Sequence, residues 1–160
     1  MLIDSFRFGP MEIPDDRVIE MKRPILGFEN LTRFCLVERD DLSPFLCLQS
    51  CEDPHVAFLA TNPAAFFPDY RIQVNPREIA ELEIEGLDEV ETYVIVTITD
   101  NPEDTSVNLQ GPIIVNTGNR TAKQLILVNS EYRVHHNLLE AIEALEQVEE
   151  APAISEPVGV

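Results

Sequence analysis

The sequence predicts a mostly β fold, namely a small antiparallel β-barrel-like single domain with one short helix near 76–82 and a C-terminal amphipathic helix. Three observations predict it. Short apolar runs alternate with turn residues along most of the chain. The 12 prolines fall at or near the ends of these runs, where a missing amide donor costs least. The chain of 160 residues is 44% hydrophobic, which is enough for one core. We expect a β domain over 1–139 and an acidic helix with a frayed tail over 140–160.

The predicted strands are short runs rich in β-branched and aromatic residues. They lie at 33–37, 45–48, 56–60, 93–99, 107–109, 112–116 and 124–128, with further strand near 6–8 and 18–21. The run 93–98 is apolar on both alternating faces, so we expect a central strand that is covered on each side.

Two helices are predicted from capping residues and apolar spacing. Asn75 is a suitable N-cap for the first, with Pro76 at the first helical position and Glu78 in the first turn. The second covers 137–149, where leucine and isoleucine recur at three- and four-residue spacing beside an acidic face. This helix either packs on the barrel or presents its acidic face to a partner.

Charge is distributed unevenly along the chain. The 29 acidic and 11 basic residues give a net charge of −18, which argues against direct binding to nucleic acid. No Lys or Arg occurs from Glu78 to Asn119. This excess of acid either keeps the protein soluble or attracts a basic partner.

Export, membrane insertion and disulfide formation are not expected. No window approaches 18 consecutive apolar residues, and the first residues lack the basic-then-apolar pattern of a secretion signal. We therefore expect a cytoplasmic protein whose three cysteines, Cys35, Cys47 and Cys51, are reduced thiols that pack as small core hydrophobes. If 47–51 is extended, the sulfurs of Cys47 and Cys51 lie roughly 13 Å apart on one face, beyond disulfide reach.

No catalytic signature is found. Phosphate-binding, dinucleotide-binding and Gly-x-Ser-x-Gly motifs are all absent from the sequence. Neighbouring His135 and His136 point in different directions on a strand or a helix, so they rarely ligate one ion. A Cys51 nucleophile with His55 or His135 has no support from any feature that would lower a thiol pKa. We expect no enzyme activity, no cofactor and no metal.

An aromatic loop and several amide side chains are candidates for recognition. Residues 61–70 place Phe66, Phe67 and Tyr70 between prolines, and a rigid aromatic loop loses little entropy on docking. The alternative is that these rings plug one end of the barrel, and we expect at least one of the three to do so. The amides Gln49, Asn108, Asn116 and Gln124 either satisfy backbone groups or form a polar rim.

Several stretches together resemble the FliW flagellar assembly factor family over roughly 1–139. The matching stretches, in chain order, are Gly27-Phe28-Glu29, 44–50, Pro68-Asp69-Tyr70, 105–116, Gln124 and 132–135. The family's Gly-x-Pro-Gly-Phe-Glu turn is here Pro24-Ile25-Leu26-Gly27-Phe28-Glu29, so its first glycine and its proline are replaced. The Glu-rich segment after 139 lies outside the resemblance.

The resemblance implies a non-catalytic protein that binds CsrA, a dimeric RNA-binding translational regulator, and relieves its repression of flagellin synthesis. It also implies binding to flagellin. We expect a protein that is monomeric alone and does not bind nucleic acid or membrane. The alternatives are a flagellin export chaperone without CsrA binding, or a small metal-dependent enzyme that uses His135 and a thiol.

Two partner surfaces are predicted within this scheme. An acidic surface for CsrA lies within 78–104, with the C-terminal helix as a further contributor, and its residues are Glu81, Glu83, Glu85, Asp88 and Glu89. An aromatic and polar surface, with flagellin docking near its phenylalanines, consists of Phe45, Gln49, Phe66, Phe67, Tyr70 and Asn108.

Overall fold

The computed structural model describes residues 1–128 and 130–147. The strands are β1 (Leu2–Ile3), β2 (Met11–Glu12), β3 (Val18–Arg23), β4 (Arg33–Val37), β5 (Phe45–Ser50), β6 (Ala57–Thr61), β7 (Val90–Thr97), β8 (Ser106–Val107), β9 (Ile113–Asn116), β10 (Thr121–Gln124) and β11 (His136–Asn137). Helix α1 is Pro76–Ile79, and α2 covers 138–147. Five single-turn 3-10 helices lie between them: Asp15–Arg17, Pro63–Ala65, Ala80–Leu82, Leu87–Glu89 and Pro102–Asp104.

Seven strands close into a barrel, in the order β7, β6, β5, β4, β3, β10, β9 and back to β7. Closure rests on the β7–β9 pairing, in which Val90 is opposite Asn116 and Tyr93 is opposite Ile113. The mostly β barrel fold is confirmed. One detail differs from the predicted antiparallel sheet, because β3 and β10 pair in parallel.

The barrel interior is filled by alternate residues of all seven strands. Phe34, Leu48 and Ile113 have no exposed surface, and Tyr93 lies in the same cluster. The other face of β7 contributes Val94 and Val96 to a separate cluster on the outside of the barrel. The prediction that 93–98 forms a central strand covered on both faces is therefore confirmed for 93–96, whereas Thr97 and Ile98 are exposed and β7 ends at Thr97.

Three smaller apolar clusters cover the outside of the barrel. The β1–β2 hairpin covers the outer faces of β4 and β5, through Ile3 and Ile13. The segment that contains α1 covers β9, where Leu82 packs beside Ile114. Helix α2 covers β7 and β8 through Leu138. The outer face of β3 stays largely exposed, so these clusters cover most but not all of the barrel.

The short helix is formed by local hydrogen bonds, as its sequence indicates. The Asn75 side chain accepts the Arg77 N–H at 3.0 Å, Pro76 begins the helix, and a 3-10 turn continues it through Leu82. Helix α2 is capped in the same way, since Asn137 Oδ1 accepts the Glu140 N–H at 2.9 Å. The part of the predicted C-terminal helix beyond 147 lies outside the described residues.

Two strand predictions are wrong. Residues 6–8 form a turn in which Ser5 Oγ accepts the N–H groups of Arg7 and Phe8, at 3.2 and 3.1 Å. The strand expected at 124–128 is instead β10, at Thr121–Gln124. Leu125 and Leu127 are buried and Ile126 and Val128 are exposed, but among the described residues only two backbone–backbone bonds, to Pro112 and Gln110, hold this stretch.

Candidate functional site

The aromatic loop forms one wall of a groove on the side of the barrel. The groove has a volume of about 530 Å³, and Phe66, Phe67 and Tyr70 lie along one wall while Ala141, Ala144 and Leu145 of α2 form the other. Asp69, Glu131 and Glu140 lie at its edges. We call this feature the aromatic groove. Its apolar floor and acidic edges suit an amphipathic helix with basic flanks.

Packing and hydrogen bonds position the aromatic rings. Phe45 stacks behind Phe66 with ring centres 5.6 Å apart. The Tyr70 hydroxyl donates to the Leu109 carbonyl at 2.7 Å, and its ring lies 4.6 Å from that of Tyr132. The rings contact the outer cluster on β7 and β8, not the barrel interior. The expectation that one of them plugs the end of the barrel is therefore wrong.

His136 completes the groove and is held neutral. Its Nε2 accepts the Arg133 N–H at 2.8 Å, which requires an unprotonated nitrogen. Burial, together with the Arg133 charge, lowers the pKa of His136 below its usual value. From the sequence, His136 is expected to be a surface or helix-entry histidine and not a metal ligand. The four-residue spacing of Tyr132 and His136 was the signal that could have placed it beside the aromatic rings.

The five predicted acidic residues lie together on one segment, but they are not equivalent. Glu83, Glu85 and Asp88 are exposed and form no ion pair among the described residues. Glu81 is already paired, with Lys123 at 3.0 Å and Arg23 at 3.4 Å. A hydrogen bond from Lys123 is the largest cause that lowers the pKa of Glu81, and both cations contribute by their charge. We call residues 83–89 the acidic loop.

The acidic loop is fixed to the barrel by amide side chains. Asn116 Nδ2 donates to the Leu82 carbonyl at 2.8 Å, and Asn119 Nδ2 donates to the same oxygen at 2.9 Å. The half-buried Glu89 gives its backbone carbonyl to the Thr117 N–H at 2.7 Å. Hydrogen bonds therefore fix the backbone at both ends of the acidic loop. A fixed backbone keeps the carboxylates close together, as a surface that attracts a basic partner requires.

Two of the predicted polar site residues lie apart from the groove. Gln49 has no exposed surface, since its Oε1 accepts the Ser5 hydroxyl at 2.8 Å and its Nε2 donates to backbone carbonyls of Ser50 and Val56 at 3.2 Å. Its prediction as a partner contact is wrong, because the side chain is fully buried and both of its polar atoms are bonded within the protein. Asn108 lines a second concavity, at the open end of the barrel.

This second concavity, which we call the barrel mouth, has a volume of about 260 Å³. None of the residues that line it is charged. Three apolar side chains at its rim are unusually exposed: Leu26 at 74%, Ile126 at 50% and Val134 at 48%. The mouth was not predicted from the sequence, although six of its lining residues lie in stretches that carry the family resemblance: Phe28, Asn108, Gln110, Gly111, Gln124 and Val134.

Amide side chains also hold the mouth. Gln124 Oε1 accepts the Leu26 N–H at 2.9 Å, and its Nε2 donates to the Gly111 carbonyl at 3.1 Å. Asn108 Oδ1 accepts the N–H groups of Gln110 and Gly111, at 3.1 and 2.9 Å. A Cβ at Gly111 would lie 2.9 Å from Gln124 Nε2 and 3.0 Å from Asn108 Nδ2. This turn therefore leaves no room for a side chain at Gly111.

The described residues include one pair of side chains that resembles part of a catalytic site, Ser106 and His135. Ser106 Oγ and His135 Nδ1 lie 3.0 Å apart, but Ser106 is buried and no carboxylate is hydrogen-bonded to His135 among the described residues. Within the described part of the chain, no group of three or more His, Cys, Asp or Glu side chains is placed to hold a metal ion. Over residues 1–128 and 130–147, no helix has the length and apolar character needed to cross a membrane.

Comparison with known proteins gives a consistent result. The family model described as FliW protein matches residues 2–138. A flagellar assembly factor FliW of Alkaliphilus metalliredigens is 33% identical over 148 residues, covering 92% of this chain and 91% of that protein. One from Thermoanaerobacter pseudethanolicus is 38% identical over 144 residues, covering 89% and 95%. A crystal structure of the flagellar assembly factor FliW superposes with a TM-score of 0.79 at 34% identity, covering 86% of this chain and 96% of that one.

The fold and its surfaces define a small closed β-barrel with an apolar groove on its side, an uncharged mouth and an acidic loop. The match extends over nearly the whole barrel and α1. The chain belongs to the FliW family, whose members named above are flagellar assembly factors.

Proposed function

We propose that this protein is a cytoplasmic, non-catalytic flagellar assembly factor that binds CsrA, relieves repression of flagellin synthesis and also binds flagellin. Family membership supports the role in flagellar assembly, and the two partners follow from the resemblance. The observation that carries the proposal is the presence of two unlike surfaces on one barrel, the aromatic groove and the acidic loop.

The aromatic groove is the proposed site for flagellin. Terminal segments of flagellin are amphipathic helices in the family scheme, and such helices bind by laying apolar side chains into a groove. The walls of Phe66, Phe67 and Leu145 supply that apolar contact. Because Phe45 and Tyr70 already fix the rings, little side-chain entropy is lost when a helix docks.

The acidic loop is the proposed site for CsrA. A regulator that holds RNA phosphates must carry cations, and carboxylates placed beside those cations repel RNA. Glu83, Glu85 and Asp88 are exposed and unpaired among the described residues, so their charge is available to a partner.

Calorimetry with purified CsrA and purified flagellin, at low and at high salt, tests the proposal. We expect both to bind, with steep weakening of the CsrA complex by salt and a smaller effect on the flagellin complex. Binding of flagellin without CsrA would instead identify an export chaperone. Binding of neither would overturn the proposal, as would a measured turnover that one side-chain substitution abolishes.

Two matched pairs of variants separate the two surfaces. Ala144→Arg places a long side chain in the groove from an exposed helix position, so it should abolish flagellin binding and leave CsrA binding intact. Its control is Glu143→Arg, at the neighbouring exposed position that does not line the groove. If both variants bound flagellin as tightly as the unchanged protein, the groove would be excluded as the site.

For the acidic loop, the test variant combines Glu83→Gln, Glu85→Gln and Asp88→Asn. It should weaken CsrA binding by about tenfold at low salt, since three charges next to the partner are removed. The control combines Asp4→Asn, Asp16→Asn and Asp40→Asn, which removes the same charge at exposed positions elsewhere. Equal weakening in both would show that net charge acts, and not the loop.

A further inference from the structure

All three cysteines lie on one face of two neighbouring strands. Cys35 is in β4 and Cys47 is in β5, while Cys51 follows the last residue of β5. The register places Cys35 opposite Gln49, so Cys47 and Cys51 lie two residues to either side of that partner, on the same face. They belong to the outer cluster beneath the β1–β2 hairpin, away from the aromatic groove and the acidic loop.

The three thiols differ in exposure. Cys35 is fully buried and Cys47 is 4% exposed, whereas Cys51 is partly exposed in a bend at the end of the strand. The Cys51 N–H donates to the Arg33 carbonyl at 2.9 Å, so Cys51 lies opposite Arg33 in the continued ladder. Cys51 is therefore the thiol that a small reagent can reach, with a second thiol diagonally across from it and a guanidinium residue opposite.

The ionisation of these thiols follows their surroundings. A hydrogen bond with Cys35 is the largest cause that lowers the pKa of Cys51, and the Arg33 charge acts in the same direction against the effect of burial. The same hydrogen bond and burial raise the pKa of Cys35. Burial raises the pKa of Cys47. Since the thiolate is the reactive form of cysteine, these surroundings favour reaction at Cys51 over Cys47.

We propose that Cys51 is a site of oxidation by peroxides, with Cys35 as the thiol that resolves the product into a disulfide. In the first step the Cys51 thiolate attacks one oxygen of hydrogen peroxide, an S–O bond forms, and the O–O bond breaks with loss of hydroxide, which leaves Cys51 as a sulfenic acid. In the second, the Cys35 sulfur attacks the Cys51 sulfur, and the sulfenic oxygen leaves with the Cys35 proton as water. The two thiols lose two electrons to the peroxide.

The geometry is compatible with the second step. Diagonal neighbours across an antiparallel pair lie roughly 7–8 Å apart at Cα, so a disulfide between Cys35 and Cys51 requires a backbone shift of about 1 Å. Cys51 lies past the end of β5, and a small backbone shift there disturbs one backbone bond, from the Cys51 N–H to the Arg33 carbonyl. Cys47 occupies the other diagonal within β5, so its backbone is fixed on both sides.

Peptide mapping of the full-length protein tests this directly. After treatment with hydrogen peroxide and alkylation of the remaining thiols, we expect a Cys35–Cys51 linked peptide and an unmodified Cys47. In untreated protein, alkylation by iodoacetamide should be at least about tenfold faster at Cys51 than at Cys47. This second measurement uses the unchanged chain, so it does not depend on any variant folding.

Two variants assign the roles. Cys51→Ser should abolish oxidation of the native protein. Cys35→Ser, checked for native circular dichroism, should leave a sulfenic acid at Cys51 that dimedone traps, because no resolving thiol remains. Equal alkylation rates at Cys51 and Cys47, or a peroxide product that involves Cys47, would overturn the proposal. So would a folded protein whose thiols all resist peroxide.

Discussion

The two ends of the β9–β10 hairpin are built in the same way and present opposite surfaces. At one end, the amides of Asn108 and Gln124 hold the turn around Gly111, and the barrel mouth above it is uncharged and apolar. At the other, Asn116 and Asn119 hold the carbonyl of Leu82, and the loop that follows carries the exposed carboxylates. Each end thus has one buried amide, Gln124 or Asn116, and a second, less buried one, and the loop residues decide the surface chemistry.

The largest expected effect is the loss of support beneath the acidic loop. Asn116→Ala removes the bond to Leu82 and leaves the Gly118 N–H without the Asn116 oxygen that it now contacts at 2.9 Å. We expect a decrease of about 2 kcal/mol in the free energy of unfolding, measured by urea denaturation. The control is Asn119→Ala, an exposed residue that donates to the same carbonyl, and its cost should be smaller. Equal losses of stability in Asn116→Ala and Asn119→Ala would contradict the view that the buried amide is the main support of the acidic loop.

A substitution at the turn below the barrel mouth should lower the free energy of unfolding slightly less. In Gly111→Ala the new methyl group meets the amide nitrogens of Gln124 and Asn108 at 2.9 and 3.0 Å, so both side chains must move. We expect a loss of about 1.5 kcal/mol of stability on thermal or urea unfolding. The combined variant Gly111→Ala with Asn108→Ala relieves one of these contacts. A fully stable Gly111→Ala protein would show that the amides are not fixed.

A substitution in the acidic loop should have the opposite sign. Glu83 adopts a left-handed backbone conformation, with φ of 53°, which is unfavourable for a residue with a side chain. Glu83→Gly should therefore stabilise the fold by about 1 kcal/mol, while Glu83→Gln removes the same charge and keeps the strain. If both variants gained equally in urea denaturation, relief of charge repulsion would be the cause instead.

The smallest expected effect is on the pH dependence of stability, and it concerns Glu81, which lies just before the acidic loop and is paired with Lys123 and Arg23. The pKa of Glu81 is lowered in the folded state, so its contribution to stability is complete above the unfolded value of 4.5 and is lost as the pH falls below it. In Glu81→Gln, the free energy of unfolding should therefore decrease slightly less as the pH is lowered below 4.5. Glu85→Gln, at an exposed position without an ion pair among the described residues, is the control and should leave this pH dependence unchanged.

Local features were predictable from the sequence. The Asn75-Pro76 start of α1 and the strand at 33–37 were placed correctly, because capping bonds and a period of two act within a few residues. The strand expected at 124–128 shows the limit. Leu125 and Leu127 are buried as the alternation indicates, but their partner segment includes Pro112, which has no N–H to donate, and the regular pairing ends at Gln124.

The candidate surfaces, too, have features that the sequence predicts and features that depend on distant contacts. The exposed carboxylates of the acidic loop were read directly from the sequence, since a run without cations needs no fold to be negative. The pairing of Glu81 with Lys123, and the full burial of Gln49, could not be read in this way. Both depend on contacts between residues more than 40 positions apart, Gln49 with Ser5 in the second case.

By itself, the sequence determined the β class, the helix starts, the acidic loop and the family resemblance, because each depends on neighbouring residues or on composition. Only the tertiary structure decided which strands close the barrel, which side of the aromatic loop is free, where the uncharged mouth lies and that Cys35 faces Cys51. These follow from the β7–β9 closure and the β4–β5 register. Pairings of this kind join segments far apart in the chain, and their geometry is set by the packing of the whole core.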